Sequence, residues 1–113
     1  MRLRILLDEC VPARARAAFP GHAVKTVTES GWRSAKDGQL LIFAEKHFDV
    51  FLTVDQRLEF QNVLPKFRLG FVIVRTRTNG LHDFLPLFDE LLTAAATVRP
   101  GEVIHIGLPK RRR

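Results

Sequence analysis

Solid apolar runs alternate along this chain with longer segments of helical spacing. The run Arg2-Leu3-Arg4-Ile5-Leu6-Leu7 predicts a buried strand over Leu3–Leu7. Ala23–Val27, Val50–Val54, Gly70–Arg75 and Glu102–Ile106 predict four more, rich in β-branched and aromatic residues. Pro12 is placed to open a helix, where its missing N–H costs nothing, and Pro20-Gly21 ends it after Ala18 or Phe19. Gln39–Lys46 carries good helix formers, Asp49 punctuates before the third strand, and a short helix is expected over Leu58–Val63. The clearest helix follows the Asn79-Gly80 turn: Leu81, Phe84, Leu85, Phe88, Leu91, Leu92 and Ala95 fall at offsets 0, 3, 4, 7, 10, 11 and 14. With Asp83 as N-cap, Pro86 would sit in the first turn, and Arg99-Pro100-Gly101 stops the helix. This alternation predicts an α/β fold, a three-layer α/β/α sandwich on a mainly parallel sheet.

The candidate chemistry lies where apolar runs meet acids. The first run ends in Asp8-Glu9 and the third in Asp55, while Asp37 opens the helix between them. In an open α/β sheet the carboxyl ends of the strands line one crevice, and ligands bind there. Carboxylates gathered in that crevice repel one another unless a hard divalent cation joins them. Each acid also has a purely structural reading. Asp8 or Glu9 favours a helix dipole, Ser34-x-x-Asp37 matches a capping box, and Asp55 suits the cap of the next helix. Oxygen donors select Mg²⁺ or Mn²⁺. Zinc is disfavoured by one cysteine, Cys10, and by the scattered His22, His47, His82 and His105. Arg75 and Arg77 follow the fourth strand at alternating spacing, which would turn both to one side, either to hold a phosphate or carboxylate or as an exposed pair. Trp32 reads as a loop anchor on the core, with a base-stacking platform as the alternative. Cys10 reads as a small packing residue. No glycine-rich phosphate loop and no serine nucleophile elbow occurs.

At 113 residues, 46% apolar and 27% charged, the chain has the size and composition of one globular domain. The net charge of +6 is largely local, since without Lys110-Arg111-Arg112-Arg113 it falls to +2. That tail reads as a solvated end that is also able to contact phosphates. The expected organisation is a single domain over 1–108 and a basic tail over 109–113. The single cysteine, the missing signal-peptide pattern and the absence of any membrane-length apolar run point to the cytoplasm.

Several stretches together resemble the small bacterial PIN-like domain family of unassigned function. They are Ile5-Leu6-Leu7-Asp8-Glu9-Cys10-Val11-Pro12, Gly21–Val27, Gly31-Trp32, Lys36–Leu41, Phe48–Asp55 and Pro100-Gly101-Glu102-Val103. The resemblance implies a PIN-like sandwich and a metal-dependent endoribonuclease, many relatives being toxins of toxin–antitoxin pairs. It implies Mg²⁺ or Mn²⁺ as cofactor, and as partners RNA and a small antitoxin protein; a homodimer with a second copy of the chain is left open. Carried across, Asp8, Asp37 and Asp55 are the catalytic acids and, with Glu9, the metal ligands. On the nuclease reading, the spacing of Arg75 and Arg77 and the charge of Lys110–Arg113 would let them attract RNA. Where the family pattern often has a second acid beyond the last one, this chain has Arg57, and the nearest acid is Glu59. The alternative is a catalytically inactive PIN-like module that binds nucleic acid or a protein. A phosphatase-like aspartate nucleophile fits less well, because no second aspartate stands two residues after Asp8.

Overall fold

The solid apolar runs form the middle of a sheet because both of their faces are covered. In the computed structural model, which describes residues 2–32 and 36–109, the strands are β1 (Arg4–Leu7), β2 (Ala23–Thr26), β3 (Val50–Thr53), β4 (Gly70–Arg75) and β5 (Val103–Gly107). They lie in the order β2-β1-β3-β4-β5, and every neighbouring pair is parallel. All of β3 is buried, whereas the edge strands β2 and β5 each bury only one residue fully. Among the described residues no helix is long and apolar enough to cross a membrane.

Side-chain alternation divides the core in two. Ile5, Leu7, Val50, Leu52, Val72 and Val74 point to one face, where they meet a 3₁₀ turn over Ala13–Ala18 and a helical segment described below. Leu6, Phe51 and Phe71 point to the other, under α1 (Asp37–His47) and α2 (Leu58–Gln61). The expected three-layer sandwich is therefore present, with a wholly parallel sheet. At the amino edge, the Asp49 carboxylate accepts the Arg4 N–H (2.8 Å) and pairs with its guanidinium (3.0 Å), which pulls the Asp49 carboxyl below its usual range.

Two helices differ from expectation. The first is a 3₁₀ turn with Pro12 at its N-cap. The long amphipathic segment is broken into α3 (Leu81–Phe84), a 3₁₀ turn at Leu85–Leu87 and α4 (Phe88–Thr97). Pro86 has no N–H to donate and crowds the preceding turn, so α-helical geometry does not run through it. Asp83 caps the preceding loop instead, accepting from the Thr78 N–H (2.8 Å) and hydroxyl (2.6 Å). The apolar stripe still works in part: Phe84, Leu91 and Ala95 are buried, while Leu85 is exposed.

The connections differ in hand. The link from β1 to β2 crosses the first face, whereas those from β2 to β3 and from β3 to β4 cross the second while moving the opposite way. These three share one hand, which the strong preference for right-handed crossovers identifies as right-handed. The link from β4 to β5 moves in the same direction as the second and third but crosses the first face through α4. Its hand is therefore opposite.

Gly107 holds the carboxyl end of β5 against β4. Its φ is +98°, and a Cβ there would lie 2.1 Å from the Arg75 carbonyl oxygen. Gly21 has a similar φ of +83° but open space around it. Gly107→Ala is expected to lower unfolding free energy by about 2–4 kcal/mol. Gly21→Ala should lower it by about 1–2 kcal/mol. Urea denaturation of the two variants checks the ranking.

Candidate carboxylate site

Two acids meet where neighbouring parallel strands end. The Asp8 N–H donates to the Leu52 carbonyl at 2.9 Å, which carries the β1–β3 ladder one residue past β1. Asp8 therefore shares the side of Leu6, the side that α1 covers. Thr53, the last residue of β3, is fully buried. Its hydroxyl donates to Asp8 Oδ2 at 2.6 Å and accepts the Asp55 N–H at 3.0 Å. One hydroxyl thus ties Asp8 to Asp55. A buried hydroxyl without partners costs several kcal/mol, so this pair of hydrogen bonds also satisfies the core.

The remaining Asp8 contacts are local. Oδ1 accepts the Glu9 N–H at 2.9 Å, and Cys10 Sγ donates to Oδ2 at 3.5 Å. Burial and the nearby Asp8 charge push the Cys10 thiol above its ordinary range, so it stays protonated and packs. Asp55 Oδ1 accepts the Arg57 N–H at 2.9 Å and stands 3.5 Å from Arg57 Nε. Arg57 is largely exposed, and exposed pairs of this kind contribute about 0–1 kcal/mol.

Asp37 completes the group from the first turn of α1. Its carboxyl is raised above the ordinary range by burial first, then by the charges of Asp55 and Asp8, with Arg57 opposing. The three aspartates thus share one electrostatic environment. Among the described residues, no three His, Cys, Asp or Glu side chains stand close enough to hold a metal ion in the positions they occupy. Ligation would require the carboxylates to close up.

The other candidates separate. Glu9 is exposed. Arg75 ends β4 and is half-buried, but Arg77 lies in the loop beyond, where strand alternation no longer governs it, and its charge acts on Asp83. Ser34 and Lys110–Arg113 lie outside the described residues. Trp32 stacks on Phe43 with ring centroids 4.6 Å apart and packs against the core, the anchoring role expected of it. His105 pairs with Glu59 (Nε2 to Oε1, 3.0 Å), and His22 Nδ1 accepts the Leu3 N–H.

Sequence reasoning missed Thr53 and Gln56. The signal for Thr53 was a polar residue inside an otherwise apolar run, two residues upstream of an acid. Gln56 Nε2 donates to the carbonyls of Val54 (3.0 Å) and Val74 (2.9 Å), lacing the ends of β3 and β4 together. No protein-family model, curated protein or solved structure matches this chain.

The raised Asp37 carboxyl has a stability consequence. An acid whose folded pKa exceeds its unfolded value supports the fold when protonated, and that support is lost as pH rises through the folded pKa. Asp37→Asn should therefore raise Tm at pH 7, by a small amount because the carboxyl is partly exposed and screened by solvent. The gain should vanish below about pH 4, where an unperturbed aspartate protonates. Thermal melts in EDTA across this range check the sign.

Proposed function

We propose that this chain is a Mg²⁺- or Mn²⁺-dependent endoribonuclease of the PIN-like type. The carrying observation is that Asp8, Asp55 and Asp37 arrive from three separate segments into one crevice, where they interact unfavourably. The donor set is all oxygen, which suits a hard cation. Asp8 and Asp55 would hold the ion, with Asp37 or Glu9 completing the set. The ion's contribution is to lower the pKa of a bound water and to offset charge on the phosphorus oxygens. The chain's own share is orientation. Thr53 fixes Asp8 relative to Asp55, and the start of α1 brings Asp37 alongside. The toxin role, with a small antitoxin as partner, rests on the family resemblance alone.

One observation favours the alternative of an inactive module that binds RNA or a protein. Asp8 and Asp55 already have partners in the fold, and the three carboxylates are not at ligating distance from one another. The two readings separate in one assay. A labelled single-stranded RNA is incubated with wild type and Asp8→Asn, in Mn²⁺ and in EDTA. The nuclease reading expects cleavage in Mn²⁺ alone, reduced at least about 100-fold by Asp8→Asn, and a rise in wild-type Tm with Mn²⁺. A flat Tm and intact RNA would leave the inactive module.

A further inference from the structure

We propose that Arg75 anchors a phosphate-binding cleft beside the carboxylate crevice, holding the RNA phosphate next to the one under attack. The proposal rests on the nuclease reading for its substrate, but its evidence is separate. Strand parity comes first. Phe71 faces the α1 and α2 side while Val72 and Val74 face away, so Arg75 faces the same side as Asp8. The register continues this into β5, where Val103 packs on that side and His105 meets Glu59 of α2. Along the carboxyl edge the sheet thus carries Asp8 and Asp55 at β1 and β3, the Arg75 guanidinium at β4 and the His105 imidazole at β5. Neighbouring strands are about 4.8 Å apart, so Arg75 stands one strand from the end of β3.

The cleft itself is small and shaped. Gln56, Ile73, Arg75, His105, Gly107 and Leu108 line a cavity of about 130 Å³. Pockets for drug-sized ligands run to roughly 300–1,000 Å³, whereas a water takes about 30 Å³, so this volume admits a phosphate group. Among the described residues no carboxylate lies within salt-bridge distance of the Arg75 guanidinium. Its planar fork is therefore available for two parallel bonds to phosphate oxygens. Glu59 of α2 stands near this end of the sheet, with His105 Nε2 3.0 Å from its Oε1. Both Gln56 amide hydrogens are spent on strand carbonyls, so Gln56 forms wall and not ligand. Gly107 adds no side chain to the mouth, as its contact with the Arg75 carbonyl requires.

The test is binding of a fluorescent oligouridylate to the full chain, in EDTA so that the RNA stays intact, across about 50–200 mM salt. Arg75→Gln should weaken binding about 5–10-fold at low salt and reduce the slope of log K against log salt by about one. Arg75→Lys keeps the charge, so it should keep the slope while losing affinity about threefold with the fork. Arg99→Gln, at the opposite edge of the sheet, should leave the slope unchanged. Circular dichroism verifies that each variant is folded. A wild-type slope in Arg75→Gln, or an equal loss in Arg99→Gln, overturns the cleft. Equal slope losses in the Gln and Lys variants overturn its charge-based account. RNA that wild type does not bind at all sinks both the cleft and the nuclease reading. RNA bound through Arg75 but left intact in Mn²⁺ sinks the nuclease reading alone.

Discussion

The parallel pairing of β1 with β3 is the contact on which the rest depends. These strands are adjacent in the sheet but not in sequence, and the chain leaves them in opposite directions, β1 towards β2 and β3 towards β4. A sheet that divides its connections in this way leaves a crevice at the carboxyl ends of the two strands. Asp8 and Asp55 stand there as a result of topology. Thr53 then converts proximity into a fixed relation, because its buried hydroxyl bonds to both at once.

The crevice carries excess negative charge. Arg57 offsets a little of it from solvent, and Thr53, Cys10 and the Glu9 N–H supply dipoles to Asp8. These contacts satisfy part of the charge of Asp8 and Asp55, while the carboxyl of Asp37 is raised by burial and by both neighbours. Hydrogen bonds to Asp8 and Asp55 fix where their carboxylates point, so any change in their positions has to break them.

How much of this was legible follows from the physics of each element. The strands were legible because runs buried on both faces tolerate almost nothing but apolar residues, as Val50-Phe51-Leu52 shows. Asp8, Asp37 and Asp55 were legible because each ends a run or opens a helix. The helix through Leu81–Ala95 misled because its apolar stripe is genuine while Pro86 divides the backbone beneath it. Arg77 lies past the end of β4, where strand alternation no longer fixes the direction of a side chain. Thr53 and Gln56 were not legible as site residues, since what they do depends on which carbonyls and carboxylates the fold brings within reach.

The reversed hand of the last crossover has a consequence for the shape of the working surface. Had the link from β4 to β5 followed the usual hand, α4 would have crossed the side that α1 and α2 occupy, over the strand ends that carry Arg75 and His105. It packs instead behind the sheet, against the turn at Ala13–Ala18. The topological exception works as an architectural omission: among the described residues, α4 adds no second layer over the strand ends that carry Arg75 and His105.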